Sequence, residues 1–322
     1  MQKTQLKPNP ISLNKIFKFF IRVLLILIIT MVIVPLLVIL IATKKVSYAG
    51  NAVEHPLQDI YQASDFGLVT KELKLTTADG LNVWASEVLV TKPKAIIIYL
   101  SGIQQPSVTY FYGHSKLMKQ NEYASILLEV RGHGESEGKV SLGYKEVEDV
   151  KAVVRYIKEQ EKYNTVPIII HGVSMGGAIA INSFGELKEV DGLVAMSAYA
   201  SFEDVIYDRM RRCIPSFICK IEKSITRMWL SIVFGSEVAE ITPINQINKV
   251  GNRPALLIAC RDDTEVAPIN MQRLLNIAPK TCTGWLRDSW EHFIVKDCDF
   301  KNIEQDKEYC NKILSFIKEI VE

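Results

Sequence analysis

Four short apolar runs constrain this chain most: AIIIYL (95–100), ASILLEV (124–130), VPIIIH (166–171) and ALLIAC (255–260). They are rich in isoleucine and leucine and lack alternation of polar with apolar residues. Strands of a parallel sheet, covered on both faces, read this way. GLVAMS (192–197) is a weaker fifth. Between two of these runs Val147, Val150, Val153, Val154 and Ile157 recur at three- and four-residue spacing, the stripe of an amphipathic crossover helix. Strands alternating with helices predict an α/β layered sheet. Ahead of them KELKLTT (71–77) and LNVWASEVLV (81–90) alternate in polarity and are joined by Ala78-Asp79-Gly80, which predicts a hairpin.

The amino terminus obeys different physics. From Val23 to Thr43 no residue is charged, and at about 1.5 Å per residue a helix over this run is about 32 Å long, enough to cross a bilayer core. Ser47-Tyr48-Ala49 loosely resembles a cleavage site, but a cleaved leader has an apolar region of only about 7–15 residues, so an uncleaved anchor is predicted. Lys3, Lys7, Lys15, Lys18 and Arg22 precede the run, and only Lys44 and Lys45 closely follow it. The positive-inside bias then places the amino terminus in the cytoplasm and the rest of the chain outside the cell membrane. The expected organisation is a basic segment (1–22), a transmembrane anchor (23–43), a linker (44–67) and a globular domain (68–322). A net charge of +2 over 322 residues gives no field that favours nucleic acid as a partner.

All six cysteines fall in the carboxy-terminal half. An even number permits disulfides in an oxidising compartment, and unpaired buried thiols fit equally well. No Cys-x2-Cys or closely spaced histidine pair suggests a metal site.

VPIIIHGVSMGGAIAI (166–181) passes from an apolar run through a glycine-flanked serine into a second apolar stretch. Gly172-Val173-Ser174-Met175-Gly176 has the Gly-x-Ser-x-Gly form, in which small flanks let strand and helix approach and the serine hydroxyl is presented at the strand's carboxyl end. A serine needs a base to become a nucleophile, and this elbow places its partners downstream in the order acid, then histidine. Of five histidines only His292 lies downstream of Ser174. For the acid, ALLIAC runs into Arg261-Asp262-Asp263. Asp263 is the choice, Asp262 the alternative and Asp288 the third. Oxyanion donors are expected in the backbone N–H groups of Met175 and of Ile103, in the loop after AIIIYL.

These residues carry a family resemblance. Arg131-Gly132-His133-Gly134-Glu135-Ser136-Glu137-Gly138, Gly143 to Asp149, the elbow, Ser197 to Ser201, and the Asp263 and His292 regions resemble the α/β-hydrolase superfamily. The likeness is to its membrane-anchored bacterial members similar to serine aminopeptidases and monoacylglycerol lipases, and covers about residues 68 to 320. It implies an α/β-hydrolase fold: a mostly parallel eight-stranded sheet with flanking helices and a small helical cap at about 201–250. It implies a serine hydrolase of esters, thioesters or amides, acting on a small-molecule or lipid-like acyl substrate with no metal or organic cofactor. It makes 131–138 a loop bordering the site, with His133 structural. Ser101, Cys260-Arg261 and Glu291 depart from the family's usual residues beside the oxyanion loop, the acid and the histidine. Glu291 would raise the imidazole pKa or compete for it. A catalytically silent binding or scaffold protein and a serine peptidase are the alternatives.

Overall fold

The computed structural model describes residues 13–46, 57 and 59–322. Lys3, Lys7 and residues 47–56 and 58 of the expected linker lie outside the described residues. Helix α1 (Leu13–Ala42) starts ten residues before the uncharged run and carries Pro35 inside it. Its apolar stretch, Phe17–Ala42, is long enough to cross a membrane.

The sheet has eight strands: β1 (Thr70–Thr76), β2 (Asn82–Val88), β3 (Ala95–Leu100), β4 (Tyr123–Leu128), β5 (Ile168–Val173), β6 (Gly192–Met196), β7 (Ala255–Cys260) and β8 (Cys282–Arg287). Their spatial order is β1-β2-β4-β3-β5-β6-β7-β8. The hairpin β1–β2 is antiparallel, and β2 meets β4 antiparallel. From β4 to β8 every pairing is parallel. The central strands β3, β4, β5, β6 and β7 are buried throughout, so their uninterrupted apolar runs reflect two covered faces.

Each face has its own core. Ile96, Ile98 and Leu100 point to the side covered by α3 (Val147–Glu159), α4 (Met175–Glu186) and α8 (Ile269–Leu275). Ile97 and Tyr99 point to the opposite side, covered by α2 (Tyr112–Gln120) and α9 (Lys307–Val321). Beyond β6 the chain leaves the sheet as α5 (Phe202–Met210), α6 (Ser216–Phe234) and the short α7 (Pro243–Gln246). Helix α5 starts where the Ser201 side chain accepts the Asp204 N–H. Asp208 holds α5 to α8 through both terminal nitrogens of Arg273, at 2.6 and 2.7 Å, and Asp204 and Glu203 hold it to α6 through Lys223 and Arg227.

Helix α1 is fastened to this body along its carboxy-terminal half. Ile39 is fully buried in the α4-side core, and Trp229 of α6 donates its indole N–H to the Val32 carbonyl at 2.8 Å. Past the helix, Val46 bridges to His133 in the 131–138 loop. The six cysteines are all free thiols, with only Cys213 exposed.

Candidate active site

The elbow is a strained corner. Strand β5 runs to Val173, and Ser174 follows at φ 56°, ψ −121°, a conformation costly for any residue with a Cβ. The glycines make it possible. A Cβ on Gly172 would stand 2.1 Å from the Gly176 carbonyl oxygen, and one on Gly176 would stand 2.3 Å from that of Leu100. The Ser174 N–H donates to Met196 at 2.8 Å, tying the corner to β6. Ser174 occupies the cap position of α4, yet its side chain caps no helix N–H, so the hydroxyl is not committed to the helix.

His292 lies after β8, and its Nδ1 is 2.8 Å from Asp263 Oδ2. Asp263 is almost fully buried, and its other oxygen accepts the N–H groups of Glu265 and Val266 at 2.8 and 3.0 Å. The carboxylate is thereby fixed by the turn that carries it. In the neutral tautomer that donates from Nδ1 to Asp263, Nε2 is the ring's acceptor. Asp262 is exposed, and Asp288 pairs with Arg261 at the surface; neither reaches the imidazole. Ser174, Met175, Ile103 and His292 all line one cavity of about 640 Å³, a size that suits a small organic ligand.

The loop after β3 approaches the elbow closely at Gly102, where a Cβ would lie 3.3 Å from Ser174 Cβ. His133 Nε2 lies 3.0 Å from the Ile103 carbonyl. Burial pushes the His133 pKa down, so the ring is neutral and pins this loop as a hydrogen-bond donor. The N–H of Met175 sits at the amino terminus of α4, where the helix dipole favours negative charge.

Glu291 does not compete for the imidazole. Its carboxylate accepts from the Ser289 hydroxyl and the Asp297 N–H. Burial alone would raise its pKa, but these hydrogen bonds outweigh burial and hold the carboxyl below the usual glutamate value. Cys260 points to the Ser289 hydroxyl at 3.1 Å, so both unusual neighbours of the acid and the histidine are absorbed in one local network. The acidic group that does face Nε2 is Glu265, at 4.0 Å and on the cavity wall. The sequence offered no separate signal for it among the acidic residues after β7.

The cavity's remaining walls come from two helices. Helix α5 contributes Phe202, Val205, Ile206 and Arg209, the end of α1 contributes Val38, Ile41 and Ala42, and the residues just after it contribute Lys44, Lys45 and Val46. That second wall was not legible in the sequence, where the anchor reads as a tether only.

Comparison with known proteins agrees with this architecture. The serine aminopeptidase family S33 matches residues 91–242. No curated protein matches the chain. Among solved structures, an esterase of Pyrococcus furiosus is 21% identical, with a TM-score of 0.62 over 82% of this chain and 95% of its own. An α/β hydrolase from Penicillium sp. sh18 is 14% identical, with a TM-score of 0.60 over 79% of this chain and 99% of its own. An acylaminoacyl peptidase of Pyrococcus horikoshii is 12% identical, with a TM-score of 0.60 over 82% of this chain and 44% of its own. The mostly parallel eight-stranded sheet and its likeness to these structures give the chain the α/β-hydrolase fold, and its residues 91–242 match a family of serine hydrolytic enzymes.

Proposed function

We propose that this protein is a membrane-anchored serine hydrolase that cleaves carboxylic esters by acyl transfer through Ser174. The observation that carries the reading is His292 held by Asp263 at 2.8 Å while His292 and Ser174 face one cavity. Ser174 Oγ attacks the carbonyl carbon as His292 Nε2 takes its proton, and Asp263 stabilises the resulting imidazolium. The N–H groups of Met175 and Ile103 hold the oxyanion. His292 passes the proton to the leaving alcohol, then activates a water that releases the acid from the acyl-enzyme. Helices α5 and α6 act as a cap whose apolar side chains exclude water from the reacting centre. Helix α1 is the anchor, with the amino terminus in the cytoplasm and the hydrolase body outside.

A fluorophosphonate probe tests the chemistry. The wild-type protein should be labelled and Ser174→Ala should not. A wild-type protein that stays unlabelled would instead be a silent scaffold. Glu265 beside His292 favours a second reading, a serine peptidase whose substrate presents a cationic amino group. Comparing acyl esters with aminoacyl amides separates the two. For topology, in a Cys213→Ser background a membrane-impermeant thiol reagent should label a cysteine placed at residue 60 in intact cells; protection there would reverse the orientation.

A further inference from the structure

If α1 spans a bilayer, the body bound to it cannot sit wholly in water. Val32, which accepts the Trp229 indole N–H, lies ten residues before Ala42 in α1, so Trp229 lies about 15 Å below the helix's outer end. That depth is close to the middle of a hydrocarbon core about 30 Å thick. Helix α6 is built for such a place. Its inward face buries Cys219, Glu222, Thr226 and Leu230. Lys223 and Arg227 are paired with Asp204 and Glu203 of α5. Its outward face exposes Phe217, Ile221, Met228 and Ile232, spaced four, seven and four residues apart along one stripe. An exposed stripe of large apolar side chains beside a membrane-spanning helix continues that helix's lipid-facing surface.

The cavity lies at the same border. Lys44 and Lys45 follow the last turn of α1, at the level where hydrocarbon gives way to headgroups. Arg209 of α5 reaches the cavity too. Among the described residues, Lys44 and Arg209 have no ion-pair partner within 4.0 Å; Lys45 donates to the Ser136 carbonyl and lies in the field of Glu137. The ester carbonyls of a bilayer lipid lie just beneath its phosphate, so cations at phosphate level set the scissile bond near the depth of Ile41.

We propose that the outer half of α1 and helix α6 lie together in the leaflet on the hydrolase side, and that the cavity draws from it an acyl-ester phospholipid with an anionic headgroup. The acyl chain lies against Val38, Ile41, Val205 and Ile206, and the phosphate meets Lys44 and Arg209. Ser174 takes the acyl group, the lysolipid leaves with the proton from His292, and water releases the fatty acid. The anchor is thus part of the substrate site. This rests on the serine-hydrolase and membrane-anchor readings above.

The test uses the full chain in vesicles of phosphatidylglycerol and phosphatidylcholine. Lipids brominated at mid-chain should quench tryptophan fluorescence, and Trp229→Phe should remove most of that quenching. Hydrolysis should favour phosphatidylglycerol, and Lys44→Glu with Arg209→Glu should cut the preference about thirtyfold or more, since two interfacial cations are lost and two like charges take their place. Fluorophosphonate labelling is measured on the same samples. An unlabelled protein sinks the hydrolase reading, while the quenching still judges the leaflet placement. A labelled protein whose Trp229 is not quenched overturns that placement. Labelled protein with a preference indifferent to the charge reversals, or with activity on soluble esters alone, overturns the phospholipid site.

Discussion

Asp263 and Asp262 are neighbours in the chain with opposite environments: one is buried and bonded to His292, the other exposed. Asp263→Asn should therefore lower kcat on a short-chain aryl ester by about 10⁴, the loss typical when a triad imidazole is left in the wrong tautomer. Asp262→Asn should leave kcat within about twofold. Equal effects would show that the turn is rearranged when substrate binds. His133 is a positioning residue, acting through the Ile103 carbonyl. His133→Ala should reduce kcat with little change in KM, because the loop it holds carries Ile103, the proposed oxyanion donor, needed only in the transition state. A rise in KM at constant kcat would assign His133 to substrate binding instead. From the sequence, the elbow and the single downstream histidine were readable. The choice between the adjacent aspartates, and the harmless turn of Glu291 toward Ser289, depend on side-chain directions that no spacing encodes.

At the level of elements, the corner between β5 and α4 has no slack. Gly172→Ala places a methyl 2.1 Å from a backbone carbonyl oxygen, a contact no rotamer relieves, so strand and helix must part. Thermal unfolding should show a loss of several kcal/mol, beyond ordinary overpacking of about 1–3 kcal/mol. The 131–138 loop is fastened by Arg131, which bonds Asp149 at 2.7 and 2.9 Å and Asp79 at 2.6 and 3.0 Å. Arg131→Met leaves the fully buried Asp149 without its counter-charge and should cost about 3–5 kcal/mol by denaturant titration. A loss under about 1 kcal/mol would mean that Asp149 takes up a proton at little cost. The buried strands were legible as continuous apolar runs. Strand β8 was not, because CTGWLR is an edge strand with mixed exposure and a glycine inside it. The amphipathic helix α9, Lys307–Val321, also went unread.

For the whole molecule, three imidazoles are sealed in the fold. Burial lowers the pKa of His114 far below its usual value, that of His171 to about 3, and that of His133 as well. The unfolded chain binds these protons below about pH 6.5 and the folded chain does not. Stability is therefore fully present above that pH and falls as the pH drops, by at most about 1.4 kcal/mol per pH unit for each histidine. The melting temperature should decline from pH 6.5 to pH 5, with part of the loss offset by Asp149, whose carboxyl burial pushes up to about 7 and which takes up a proton in the folded state over the same interval. A flat profile over that interval would show that water reaches the rings.

Sequence alone determined the layered α/β class, the apolar amino-terminal helix, the serine corner and the one histidine downstream of it, because each follows from local periodicity, from backbone sterics or from there being one residue of its kind in the right order. Only the tertiary structure decided which carboxylate reaches His292, that Glu265 faces its other nitrogen, and that the end of α1 walls the cavity. Those are meetings between segments far apart in the chain, and their energy resides in contacts that exist only once the sheet has brought its edges together.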